Sequence, residues 1–286
     1  MFEQTYDRLR ESVERALKDL CQACPSPQPL RDAMAYSLLA GGKRIRPVML
    51  LSACEAFGGS IQEAMPFACA LEMIHSYSLI HDDMPEMDDD SLRRGKPTNH
   101  TVFGQGMALL AGDGLLSWAF ETMLAQAQGS QQRWEAMRTL ARAAGVTGMV
   151  SGQCRDLAQR PQDGEAELYR LCAEKTGGLL AGAASAGAAL AGADAAEQER
   201  MWRYGIALGV SFQIQDDLLD ILGDPALLGK QTGMDKARGK MTYPALLGID
   251  RARQVMEEQT RLALELLGER APFLSELTRR LLQRDH

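Results

Sequence analysis

Apolar residues recur along this chain at spacings of three and four, the period of one helix face, while the alternating runs that mark strands are scarce. Ala, Leu, Met, Glu, Gln and Arg, all good helix formers, dominate the long segments. The pattern predicts helices over 2–20, 28–40, 44–57, 61–83, 105–128, 130–153, 165–173, 175–192, 195–222, 242–267 and 272–284. No linker, repeat or low-complexity run divides them, so residues 1–286 read as one all-α domain, a large helical bundle. The run from Thr176 to Ala195 is nearly devoid of large side chains. Ala and Gly carry too little transfer energy for a membrane span, so a tightly packed internal helix is expected there.

Composition narrows the class of partner. At 286 residues and 45% hydrophobic content the chain can bury a sizeable core. A formal charge of -7 opposes a nucleic-acid partner, although an acidic protein still binds phosphates where metal ions supply the positive charge. The opening MFEQTYDRLRESVERALKDL is an amphipathic helix rather than a leader peptide, which points to a cytoplasmic protein. Six cysteines lie mostly in helix-like stretches and are expected to be buried free thiols. Cys21 and Cys24 form a C-x-x-C, yet no second pair at zinc spacing and no βαβ context accompany it.

The chemistry concentrates in HDDMPEMDDDSLRRG, residues 81–95. Six acidic residues so close together repel one another unless cations sit among them, and Mg²⁺ takes carboxylate oxygens while bridging substrate phosphates. Arg93 and Arg94 add fork-shaped phosphate donors. Alone, such a stretch reads equally as an acidic surface loop. A second cluster, Asp216, Asp217 and Asp220, changes that balance. Asp216 and Asp220 are four apart on a helix with Gln213 one turn before, so the three are expected on one face. Asp82 and Asp88 are six apart, and Pro85 between them is expected to end or bulge the helix so that Asp88 turns back.

Other segments supply positive charge and a cavity wall. GGKRIRP places Lys43, Arg44 and Arg46 behind two glycines at a helix start, a candidate anion site or a plain helix junction. His75 lies two helical turns before Asp82, and Tyr77 and Ser78 are placed to line any cavity running down from the carboxylates. Lys175 and Thr176 open the small-residue helix. The loop after Asp220 carries Lys230, Asp235, Lys236, Arg238 and Lys240 among glycines and is a candidate lid.

In this order, GGKRIRP, D-D-x-x-x-x-D as Asp82, Asp83 and Asp88, RRGKP, Lys175-Thr176, Gln213 with DDLLD, and GKQTGMDKARGK, the motifs resemble those of the trans-polyprenyl diphosphate synthases, and among them the bacterial farnesyl diphosphate synthases. The resemblance covers nearly the whole chain. It implies an isoprenoid-synthase-type bundle around a deep cavity, the two Asp motifs facing each other across its mouth, and a homodimer. It implies about three Mg²⁺ ions, held by Asp82, Asp88 and Asp216 with Asp83, Asp217 and Asp220 further out. An allylic diphosphate would meet Arg93, Lys175, Gln213, Lys230 and Lys240. Isopentenyl diphosphate would meet Lys43, Arg46, His75 and Arg94. Farnesyl diphosphate is the product implied, with Tyr77, five positions before the first Asp, as the stop to chain growth.

Three other readings fit parts of the chain. A metal-dependent phosphohydrolase would use His81-Asp82 but lacks further histidines and leaves the second Asp cluster idle. A terpene cyclase would leave GGKRIRP and Arg94 without a second diphosphate. A non-catalytic helical subunit would not need both Asp motifs intact.

Overall fold

The computed structural model describes residues 2–159, 164–222 and 240–282. Its first four helices are α1 (Phe2–Ala23), α2 (Gln28–Leu38), α3 (Ile45–Ala56) and α4 (Ile61–Asp82). A two-stranded hairpin follows, β1 (Leu92–Arg93) and β2 (Lys96–Pro97), then α5 (Asn99–Phe103), α6 (Gln105–Ala127), α7 (Gln131–Ala144), α8 (Met149–Leu157) and α9 (Glu165–Cys172). One π-helical turn, Ala173–Gly177, leads into α10 (Gly178–Leu190) and α11 (Ala195–Leu222); α12 (Tyr243–Leu247), α13 (Ile249–Leu267) and α14 (Pro272–Leu282) complete the described chain. The fold is all-α, as the periodicity predicts.

Two predicted helices are each broken in two. The segment 130–153 divides because Gly148 passes so close to the preceding turn that a Cβ there would sit 2.2 Å from the Ala143 carbonyl oxygen. The segment 242–267 divides at Gly248, whose φ of +79° no regular right-handed helix accommodates. The hairpin and α5 carry no strong pattern in the sequence and are additions made by the fold.

Helix α10 packs against α11, α3 and α7 at once, and every residue from Gly178 to Ala189 is buried. Small side chains permit this. A Cβ on Gly209 of α11 would lie 2.2 Å from the Cα of Gly177, so the two backbones run in direct contact at the base of α10. A smaller apolar cluster, with Val210, Ile214, Leu218, Tyr243 and Val255, anchors α12 and α13 on the other side of α11. Five of the six thiols are free and buried as expected; Cys154 is free but exposed, on the wall of a large cavity between α4 and α8. Among the described residues no helix is long and apolar enough to cross a membrane.

Gly209→Ala is expected to force α11 off the π-helical turn and to cost about 1–3 kcal/mol by overpacking. Urea unfolding measures this, with a lowered midpoint at unchanged slope as the expected result.

Candidate active site

Helix α4 ends at Asp82, and the chain then folds back on itself. The backbone N–H of Asp88 donates to the carbonyl of Asp82 at 2.9 Å, so the six-residue spacing is absorbed in a tight turn through Pro85 and both carboxylates come to one end of α4. Asp82 Oδ1 accepts from Gln153 Nε2 on α8 at 2.6 Å. Asp83 is buried and takes the Arg93 guanidinium, with Nε 2.7 Å from Oδ1 and 2.8 Å from Oδ2. Asp88 accepts from Lys240 Nζ at 3.2 Å, while Asp89 is exposed. Burial is the main influence pushing the Asp82 and Asp83 carboxyls up, and Asp88 adds repulsion at Asp82.

The π-helical turn presents Lys175 and Thr176 to the same space. Single π-turns inside α-helices often coincide with functional sites, since they redirect side chains without breaking the helix. Lys175 Nζ donates to Asp156 on α8, and Lys240 Nζ stands 3.7 Å from the same carboxylate. Thr176 Oγ1 donates to Gln213 Oε1 at 2.9 Å, and Gln213 Nε2 donates to Asp217 Oδ1 at 2.9 Å. The Tyr243 N–H donates to Asp217 Oδ2 at 3.2 Å, tying α12 to α11. The amide of Gln213 therefore reaches Asp217, four residues on. Asp216 is half-buried and Asp220 buried. Lys240, Gln213 and Asp217 line one recess of about 110 Å³ with Asp156 and Lys175. Lys230 lies outside the described residues, as does the predicted lid before Lys240.

Beneath the carboxylates is a cavity of about 640 Å³. Asp82, Gln153, Lys175 and Thr176 stand on its wall with Tyr77, Ser78, Met149 and Leu179. Arg46 and His75 border both this cavity and a second one of about 480 Å³, which Lys43, Arg44, Glu72 and Arg94 also line. Arg44, with φ +50°, points inward and donates to Glu14 at 2.7 Å, Glu72 at 2.5 Å and the Leu38 carbonyl at 2.7 Å. Of its neighbours in the motif, Lys43 is exposed and Arg46 is half-buried between the two cavities. Arg94, φ +54°, donates to the Gly41 carbonyl and so joins the hairpin to GGKRIRP. The positive-φ non-glycine residues Arg44, Asp89 and Arg94 all border the site, where backbone strain is commonly held.

Arg46 Nε is buried and has no hydrogen-bond partner among the described residues, a donor that an entering anion would satisfy. Its Nη1 lies 3.3 Å from His75 Nε2, and since a guanidinium only donates, His75 accepts there as the neutral ring. Burial, and then the nearby Arg46, Arg94, Arg93 and Arg44, hold the His75 pKa well below its ordinary value.

Sequence reasoning missed Gln153, Asp156 and Glu72. Each is a lone polar residue in an unremarkable helical pattern, and only the pairing of distant helices brings Gln153 to Asp82, Asp156 to Lys175 and Glu72 to Arg44. Among the described residues no three His, Cys, Asp or Glu side chains converge on a point that holds an ion by themselves. The donor set still fits Mg²⁺. It is all oxygen, the Asp82 carboxyl is raised by burial that a cation would relieve, and Mg²⁺ keeps waters and substrate phosphates in its octahedron so that one or two carboxylates per ion suffice.

The polyprenyl synthetase family profile matches residues 27–277. The chain belongs to the polyprenyl synthetase family. It is 46% identical over 261 residues to the farnesyl diphosphate synthase of Geobacillus stearothermophilus, covering 88% of this chain and 86% of that one. Against geranylgeranyl pyrophosphate synthase 11, chloroplastic, of Arabidopsis thaliana it is 45% identical over 269 residues, covering 91% and 75%. The apo crystal structure of an FPP/GFPP synthase from Zymomonas mobilis matches this polyprenyl synthetase with a TM-score of 0.85 at 34% identity, over 99% of this chain and 100% of that one. A geranyltransferase from Legionella pneumophila gives 0.87 at 32%, over 99% and 98%. The bundle is thus of the isoprenoid-synthase type.

A neutral buried His75 makes stability depend on pH. Unfolded, the ring has a pKa of about 6.5, so below that value the unfolded state binds more protons and stability falls as pH drops towards the lowered folded value. His75→Gln removes that proton uptake. Urea melts at about pH 7.5 and about pH 5.5 should show a smaller loss of stability on acidification in the variant than in the wild type.

Proposed function

We propose that this polyprenyl synthetase condenses isopentenyl diphosphate head to tail with dimethylallyl diphosphate and then with geranyl diphosphate, giving farnesyl diphosphate and diphosphate. The observation that carries the reading is the coincidence of a charged mouth with a deep apolar cavity: Asp82 and Lys175 stand at one end of a space walled by Tyr77, Met149 and Leu179. A substrate with a diphosphate head and a hydrocarbon tail has that polarity.

Asp82, Asp83, Asp88, Asp216, Asp217 and Asp220 are the residues that would hold Mg²⁺, with Asp83 and Asp217 acting through Arg93 and Gln213 as well. Bound there, Mg²⁺ supplies Lewis-acid neutralisation of the diphosphate as it leaves. Lys175, Lys240 and Arg93 bring further positive charge, and Lys230 belongs with them by its place in the motif. When diphosphate arrives, Lys175 and Lys240 exchange the Asp156 carboxylate for phosphate oxygens and stabilise the charge that develops as the C–O bond breaks. The bonding electrons leave with diphosphate, and an allylic cation remains in the cavity. Thr176, its proton committed to Gln213, offers that cation only lone pairs.

Isopentenyl diphosphate sits without metal between Lys43, Arg46, His75 and Arg94, where the orphaned Arg46 Nε gains its partner. Its double bond attacks the cation, forming the new C–C bond, and the proton lost from the adjacent carbon passes to the departed diphosphate. Tyr77 ends the cavity for a fifteen-carbon chain, and Ser78 beside it turns its hydroxyl back to the His75 carbonyl at 2.9 Å. The relatives of known product length divide between farnesyl and geranylgeranyl synthases at nearly equal identity, so a geranylgeranyl product is the second reading. Leu109, Leu110 and Leu124, exposed on α6, favour a homodimer that covers them. A cytoplasmic location accords with soluble substrates.

The deciding experiment incubates purified protein with Mg²⁺, dimethylallyl and isopentenyl diphosphates and separates the products by chain length. Asp82→Ala and Asp216→Ala should each cut turnover well beyond tenfold; a loss within about tenfold, worth only ~1.4 kcal/mol, overturns the assignment of these carboxylates. Release of diphosphate from the allylic substrate alone, at the same rate as with both, would favour a hydrolase. Tyr77→Ala should move the main product from farnesyl to longer chains.

A further inference from the structure

Tyr77 is buried in the cavity wall, and among the described residues no hydrogen bond holds its hydroxyl. Its one directional contact is the ring of His81, four residues on. Helical side chains lean towards the N-terminus, so His81 lies down over the turn that carries Tyr77. The centroids are 5.7 Å apart with the planes at 77°, an edge-to-face pair. His81 also borders the cavity, as Tyr77 and Asp82 do.

The His81 ring is itself held from α6. Its Nε2 is 3.1 Å from the Leu109 carbonyl oxygen, and a carbonyl only accepts, so Nε2 carries a proton and donates. Asp113 Oδ1 stands 3.9 Å from the same nitrogen. Gly112 lies one turn beyond Leu109, and a Cβ there would come 2.1 Å from His81 Nε2 and 2.4 Å from its Cδ2. The ring thus occupies the space that a side chain at 112 would take. No larger residue at position 112 is compatible with this orientation of His81.

We infer that His81, seated on Gly112 and the Leu109 carbonyl, is a positioning residue that fixes product length by holding the Tyr77 ring across the cavity. This rests on the reading of Tyr77 as the stop to chain growth. An aromatic ring held by packing on one side swings aside as a growing chain presses on it; the His81 ring opposes that swing. The device lies in the contact between α4 and α6, one residue from Asp82, so its action is read in the ratio of products, separately from turnover.

The test measures the ratio of geranylgeranyl to farnesyl product from the full chain with Mg²⁺ and both substrates, for wild type, Tyr77→Ala, His81→Ala, His81→Gln, Gly112→Ala and the His81→Ala/Gly112→Ala double variant. Product ratio is read independently of turnover, which His81 variants will lower through the neighbouring Asp82. His81→Ala should raise the ratio about tenfold, the shift that ~1.4 kcal/mol gives. His81→Gln retains a donor for the Leu109 carbonyl without the ring edge and should raise it too, so the test survives if the alanine variant does not fold. Gly112→Ala should alter the ratio in the wild-type background and add nothing once His81 is alanine, because both changes act through the same ring. A ratio unchanged in the foldable His81 variants while Tyr77→Ala lengthens products overturns the inference and leaves Tyr77 as the stop. No lengthening in Tyr77→Ala overturns the reading of Tyr77 and the inference with it.

Discussion

A carboxylate withdrawn from water must find a cation or give up its charge, and the mouth of this cavity is built on that constraint. Asp83 is satisfied by the Arg93 fork, Asp88 by Lys240 and Asp156 by Lys175. Among the described residues Asp82 receives an amide donor from Gln153 and no cation, and burial raises its carboxyl. Acid and base are therefore paired with one another at the mouth of the cavity. The same principle appears inverted at Arg46, where it is a buried donor that lacks a partner.

Irregular backbone delivers these groups to their places. The turn through Pro85 brings Asp88 back to Asp82, the hairpin aims Arg93 and Arg94 in opposite senses, and the π-turn points Lys175 and Thr176 into the cavity. Regular helices hold the irregular pieces still. The buried Arg44, tied to Glu14, Glu72 and Leu38, secures the start of α3, and the Gly and Ala surface of α10 lets α11 close against the π-turn. Stability and function meet at the base of α10, where one added methyl group would disturb both.

The cavity is apolar because the helices that wall it are. Helices α4 and α10 are buried nearly all round, so neither shows a clear polar face, and each gives its apolar side chains to the core and to the cavity alike. Helix α10 carries no charged residue, and α4 carries them near its ends except for Glu72, which the buried Arg44 pairs. The separation of charge from hydrocarbon that a prenyl diphosphate requires thus follows from where the helices stop.

Much of this was legible in the sequence. Helical period, scarce strand signals and the absence of linkers determined an all-α bundle, and the clustering of Asp82, Asp83 and Asp88 with a second Asp run marked the candidate site. Pro85 within the first run was enough to foresee the return of Asp88, since proline cannot continue a helix. The breaks at Gly148 and Gly248 were not foreseen, because a glycine inside a helical pattern signals a break only when the neighbouring backbone demands it. Nor were Gln153, Asp156 and Glu72, or the seat that Gly112 makes for His81. Local periodicity records which face of a helix is apolar, whereas which atoms meet across two helices depends on their separation and rotation, and only tertiary packing decides those.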